Sequence, residues 1–147
     1  MSDFIEIKIE DKQLQQHLNR LAETTSNLRP LMQNITGILE DSVEENFEQE
    51  GRPKWDKLKK STIENRIKKG YYPGKILQMR GELASSITSY YDSNSAVVGT
   101  NKVYAAIHQF GGKAGKNKSV KITSRPYLKI DSKENQEIID ASIKHLD

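Results

Sequence analysis

The chain has 147 residues, no cysteine, 35% apolar and 29% charged residues, and a formal net charge of +3. That size and balance suit a single domain over residues 1–147 with a lean core, and exclude a wholly disordered chain. Cysteine's absence removes disulfides, thiolate metal sites and cysteine nucleophiles, and with no apolar run near the ~20 residues of a membrane span and no signal-peptide pattern, we expect a protein that stays in the cytoplasm, with no membrane contact.

Over Phe4–Glu10, Ile5, Ile7 and Ile9 alternate with charged residues, the period of a half-buried strand. Asp11 stands where a helix cap belongs. Leu14, Leu18 and Leu21 then recur at helical spacing until Thr24-Thr25-Ser26-Asn27 interrupts with side chains that compete for backbone hydrogen bonds. A second helix begins near Leu28, tolerates Pro30 in its first turn, and carries one apolar stripe of Leu31, Ile35, Ile38, Leu39, Val43 and Phe47. Its other face reads Glu40, Asp41, Glu44, Glu45, Glu48, with like charges at i,i+4. Three readings stand open for that face: solvated surface, a surface docking on the basic region of an adjacent subunit, or a carboxylate pair for acid–base chemistry. The last lacks a basic neighbour or pocket to separate the two pKa values. Glu40 and Glu44 are its interface candidates.

Gly51-Arg52-Pro53-Lys54-Trp55 ends the helix, Gly51 supplying a left-handed cap. Trp55, the only tryptophan, is either an anchor pinning the loop or an interface hot spot. Ser61-Thr62-Ile63-Glu64 has the form of a capping box opening a basic helix that stops at Gly70, with Ile63 and Ile67 on one face. Tyr71 and Tyr72, beside Lys68, Lys69 and Lys75, suit a nucleic-acid contact and a protein contact equally. A short helix around 81–86 precedes a hairpin of Ile87–Tyr91 and Ala96–Gly99 across the turn residues Asp92-Ser93-Asn94-Ser95. Val103 to Phe110 reads as a short helix ending at Gly111-Gly112. The stretch after it, with Lys113, Lys116 and Lys118, reads as a loop that is mobile in a free subunit and orders on an acidic partner. Val120–Ile122 is a strand, Pro126–Leu128 is extended, and Ser132–Leu146 is an amphipathic helix with Ile138, Ile139, Ile143 and Leu146 inward. The sum is an α+β fold, with long N-terminal helices packed on a small antiparallel sheet made from the 5–9 strand, the 87–99 hairpin and the 120–128 region.

Charge is segregated along the chain. Residues 1–50 carry four Lys/Arg against eleven Asp/Glu, net −7; residues 51–130 carry seventeen against four, net +13; residues 131–147 carry two against five, net −3. Such a pattern fits a nucleic-acid footprint or one half of a complementary surface in an oligomer.

Signatures of chemistry fail one by one, so neither catalysis nor a cofactor or metal is expected. Gly111 to Asn117 looks like a phosphate loop, but Gly111 to Gly115 is one residue short, Asn117 replaces the hydroxyl that would hold magnesium, and a strand follows. His17, His108 and His145 are far apart, with no partner at metal-ligand spacing.

Four stretches occur in a fixed order: Phe47-Glu48-Gln49-Glu50-Gly51-Arg52-Pro53-Lys54-Trp55, Leu77-Gln78-Met79-Arg80-Gly81-Glu82-Leu83, Tyr104-Ala105-Ala106-Ile107-His108-Gln109-Phe110-Gly111-Gly112, and Ser124-Arg125-Pro126-Tyr127-Leu128. Together they resemble the virion morphogenesis (tail-completion) family of Mu-like phages and prophages, over roughly residues 30–130. The resemblance implies a structural, non-enzymatic part acting late in assembly, made in the host cytoplasm and placed at the virion tail or head–tail junction. Its partners would be further copies of itself, in a ring or plug, and other tail or neck proteins. Within the pattern Tyr104 and Phe110 read as buried anchors, so Phe110→Ala is expected to destabilise by about 3–5 kcal/mol. Two alternatives stand beside this: a module binding nucleic acid weakly and without sequence preference through the basic middle, and an assembly factor absent from the finished particle.

Overall fold

The computed structural model describes residues 4–7, 9, 11–24, 27–70, 74–77, 82–102, 104–114, 117 and 120–146. The elements in chain order are β1 (Ile5–Glu6), α1 (Lys12–Thr24), α2 (Arg29–Glu48), α3 (Lys60–Lys69), α4 (Glu82–Ser85), β2 (Thr88–Tyr91), β3 (Ala96–Thr100), α5 (Ala105–Phe110), β4 (Gly112–Ala114), β5 (Val120–Ile122) and α6 (Ser132–Leu146). The fold is α+β, and the chain forms two compact units, one of Glu6–Val43, Thr88–Gly99 and Leu128–Asp147, the other of Met1–Ile5, Glu44–Ile87 and Thr100–Tyr127. The first holds seven Lys/Arg against twelve Asp/Glu, net −5, and the second sixteen against eight, net +8. We call them the acidic and the basic unit.

The acidic unit is built on aliphatic stripes. Asp11 caps α1 as its type predicts, Oδ1 accepting the Leu14 N–H at 2.9 Å, and Leu14 and Leu21 are buried. Leu31, Ile35, Leu39 and Val43 are buried along α2, the expected stripe. Between them lie buried polar side chains that periodicity does not announce. Thr36 Oγ1 donates to the Met32 carbonyl at 2.8 Å, and the Ser42 hydroxyl lies 2.8 Å from the Lys129 carbonyl and 2.7 Å from Glu134 Oε1. On α6, Ile138 is fully buried and Ile139 half-buried, but Ile143 faces solvent, against expectation. Five residues past Ile138 the helix has turned about 140° off that face. Ser142, four residues on, takes the inward place and hydrogen-bonds with His17 Nε2 at 2.7 Å. The hairpin forms as expected, with Thr88 opposite Gly99 and Tyr91 opposite Ala96, its turn fixed by Asp92 Oδ1, which accepts the Asn94 and Ser95 N–H groups. The strand order of this sheet is β1-β3-β2, and the Arg29 guanidinium at the start of α2 lies 5.0 Å above the Tyr91 ring.

Gly37, mid-helix in α2, is exposed, and a Cβ added there would meet nothing within 4 Å. A glycine in a helix interior costs about 1 kcal/mol relative to alanine, and no neighbour among the described residues requires one here.

The basic unit is built on aromatic packing and on side chains bonded to distant backbone. At the end of α2 the left-handed position is taken by Glu50 (φ 56°) rather than by Gly51 alone (φ 102°), and the Gly51 N–H closes the helix on the Asn46 carbonyl at 2.8 Å. Gly51 is required for a second reason: a Cβ there would lie 2.5 Å from Trp55 Cδ1. α3 starts at Lys60 with Lys59 at the cap position and no side-chain cap bond, so the Ser61 capping box does not form; Ser61 already lies inside the first turn. Gly70 (φ 80°) ends α3 as read, but the residue this helix buries is Arg66, while Ile67 is exposed. β5 does not join the first sheet. It pairs antiparallel with β4, Gly112 opposite Ile122, Lys113 opposite Lys121 and Ala114 opposite Val120.

Candidate functional site

Three of the four stretches that stand out in the sequence, around residues 47–55, 104–112 and 124–128, converge in the basic unit as one clasp, while residues 78–81 of the remaining one lie outside the described residues. Tyr127 is fully buried, its hydroxyl donating to the Ala105 carbonyl at 2.7 Å and its N–H to Gln109 Oε1 at 3.0 Å. Burial pushes its phenol above the usual tyrosine value. Phe47 packs against the Tyr127 ring at 5.2 Å and edge-on to Trp55 at 6.1 Å. Asn46, also fully buried, ties three segments together. Its Nδ2 donates to the Tyr127 carbonyl at 2.8 Å, its Oδ1 accepts from Arg52 Nε at 2.7 Å, and its own carbonyl closes the helix.

α5 is held against the returning segment Ser124–Arg125, just past β5, by polar bonds on one side. The Arg125 N–H donates to the His108 carbonyl, Ser124 Oγ donates to the Gln109 carbonyl, and the Arg125 guanidinium donates to the Asp56 and Lys57 carbonyls. The turn out of α5 needs Gly111 (φ 75°), since a Cβ there would lie 2.9 Å from the Ser124 nitrogen. Burial, with the Arg125 guanidinium alongside, holds the His108 imidazole below the usual histidine value; its Nδ1 has no hydrogen-bond partner among the described residues and its ring meets Tyr104 edge-on at 6.0 Å.

Phe110 breaks the expectation of a buried anchor: it is 70% exposed. Tyr127 occupies the inward place, and on so short a helix residue 110 falls about 140° from Ala105, the buried position. The stretch after it is also not a simple loop, because Gly112–Ala114 is the strand β4. Lys113, exposed on β4, stands directly opposite exposed Lys121, with Lys59 Nζ bonded to the Lys121 carbonyl at 2.8 Å. Like charges in that position repel. Neither ammonium pairs with a described carboxylate, and the sequence has no acid between Asp92 and Asp131.

The other predicted residues fall as follows. Trp55 is 7% exposed and its Nε1 donates to the Pro126 carbonyl at 3.1 Å, the arrangement of an anchor. Glu40 and Glu44 are exposed on α2 with Asp41 between them, and no described cation pairs with any of the three. Their neighbours on that face are paired, Glu45 with Arg52 and Glu48 with Lys75, each at 3.4 Å. Tyr71, Tyr72, Lys116 and Lys118 lie outside the described residues. Sequence reading missed Asn46, Gln109 and the buried Arg66, whose Nη1 donates to the Lys75 carbonyl at 3.0 Å. Among the described residues no group of three His, Asp or Glu could hold a metal ion, and no helix is long and apolar enough to cross a membrane.

A model of the phage virion morphogenesis family matches residues 9–147, farther at both ends than the motifs alone reach. The chain is 44% identical over 137 residues to the Mu-like prophage FluMu G protein 2 of Haemophilus influenzae, covering 92% of this chain and 91% of that protein. It is 32% identical over 151 residues to protein G of Escherichia phage Mu, provisionally named a capsid assembly protein, covering 99% of this chain and 96% of that one. A second Haemophilus influenzae relative, FluMu G protein 1, is 33% identical over 112 residues, covering 73% of this chain and 75% of its own length. No solved structure matches the chain.

Proposed function

The chain belongs to the phage virion morphogenesis family, and on that premise we propose that it completes the tail or joins head to tail as a non-catalytic ring or plug of several copies. The observation that carries this reading is the charge division, net +8 in one unit and −5 in the other, with the exposed Lys113 and Lys121 and the exposed Glu40, Asp41 and Glu44 all without described ion-pair partners. Complementary surfaces carried by one chain favour association of copies, and exposed ion pairs weaken with salt. The residues that mark the family are held in backbone-directed bonds, as for Gln109, Arg125 and Tyr127, which suits a part that supplies shape. The test joins two measurements. Sedimentation of the purified protein should give a multimer that dissociates as salt rises, and electron microscopy of particles made without it should show tails unfinished or unjoined. Complete, infectious particles in its absence would end this reading.

The acid-free run between Asp92 and Asp131, with Phe110 exposed inside it, supports a second reading, contact with DNA. Such contact is sequence-independent and steeply salt-dependent, because only phosphates are recognised. Sequence-selective binding that survives physiological salt would displace the assembly reading.

A further inference from the structure

Two features of the surface have no partner among the described residues of one copy of the chain. Phe110 stands 70% exposed at the end of α5, fixed by the bonds that hold α5 to the Ser124–Arg125 return, with the mutually repelling Lys113 and Lys121 beyond it on β4 and β5. On α2, Gly37 lies exposed with open space where a side chain would be, and Glu40, Asp41 and Glu44 follow at i+3, i+4 and i+7, on the same face. The first is an aromatic knob beside cations. The second is a notch beside anions.

We propose that Phe110 of one copy seats over Gly37 of a second, with Lys113 and Lys121 meeting Glu40, Asp41 and Glu44. This deepens the assembly reading and rests on it. Each surface carries like-charge repulsion that the other relieves, at i,i+4 on the helix and across the ribbon, and the glycine lets an aromatic ring approach the helix backbone. Each copy offers one knob and one notch, so every copy can take part in two such contacts, and copies that add head to tail close into a ring.

Four variants of the full chain test it, by sedimentation at low salt and by thermal melting. Gly37→Ala should melt higher than the parent, since alanine is the better helix former, yet associate about tenfold more weakly, because its methyl fills the notch. Phe110→Ala should melt like the parent and associate about tenfold more weakly. Lys113→Glu with Lys121→Glu should abolish association, and adding Glu40→Lys with Glu44→Lys to the same chain should restore it. Parental association of both Gly37→Ala and Phe110→Ala, failure of the charge exchange to rescue, or a parent that stays monomeric at low salt each overturns the contact. So does a result in which only DNA binding changes. Particles that are complete without the protein, beside variants that behave as expected, would leave the contact standing and remove the tail-completion reading.

Discussion

In the acidic unit every long helix turns aliphatic side chains inward, Leu14 and Leu21 on α1, Leu31 to Val43 on α2, Ile138 on α6, with a few hydroxyls bonded between them. In the basic unit the helices past α2 are short, and the core centres on the rings of Phe47, Trp55 and Tyr127, with Asn46, Trp55 and Tyr127 tied to backbone groups about 20 to 80 residues away in sequence. The first kind of core tolerates exchange of one aliphatic for another of like volume. The second kind does not, because Trp55, Tyr127 and the neighbouring Asn46 each both fill space and satisfy a backbone group that would otherwise be buried without a partner. Trp55, Gln109 and Tyr127, all within the stretches that resemble the family, lie where packing and hydrogen bonding are done by the same side chains.

The largest effect should come from Tyr127→Ala, which removes the central ring and strands the Ala105 carbonyl, for a loss of about 3–5 kcal/mol by urea unfolding. Tyr127→Phe separates the two contributions, and a loss under about 0.5 kcal/mol there would show that the hydroxyl does nothing and that the units are alike after all. On the other side, Leu39→Ala should cost about 2–5 kcal/mol while Leu39→Met costs under about 1.5 kcal/mol, since only volume is at stake. Ser42→Ala should cost about 1–3 kcal/mol, as the Lys129 carbonyl and Glu134 Oε1 lose the donor they share. An aliphatic-style tolerance at Ser42 would mean that the acidic unit does not depend on its hydroxyls.

The smallest effect is a dependence on pH from the basic unit. Because His108 titrates lower when folded, the unfolded chain takes up its proton first as pH falls below about 6.5. Its contribution to stability is complete above that value and is lost progressively until the lower folded value is passed. Unfolding free energies at pH 8 and pH 5.5 should differ more for the parent than for His108→Gln, and equal differences in the two would assign the pH dependence elsewhere.

Much of this was legible in the residues. The stripe of α2, the Asp11 cap, the stop at Gly70 and the Asp92 turn all follow from local rules, because their partners lie within a few residues. Phe110 was misread for the same cause: an aromatic before Gly-Gly looks like an anchor until Tyr127, 17 residues on, is seen to hold the place. The strand β4 was hidden by a composition of glycine and lysine that local rules assign to loop, and only its pairing with β5 reveals it. The family resemblance carried what periodicity could not, the order of the motifs, while the atoms that give them meaning lie in bonds such as Trp55 to Pro126 that no local window contains.

Asn46 draws this to a point. One nitrogen of its side chain must give and one oxygen must receive, and the orientation is set by a carbonyl on one side and a guanidinium on the other. Aspartate has the shape but cannot give, leucine has the volume but can do neither, and glutamine is one carbon too long for a site with no exposure. In a library carrying all twenty residues at this position, selection for folded protein should return an alphabet of one letter, from a helix position that looks interchangeable with its neighbours.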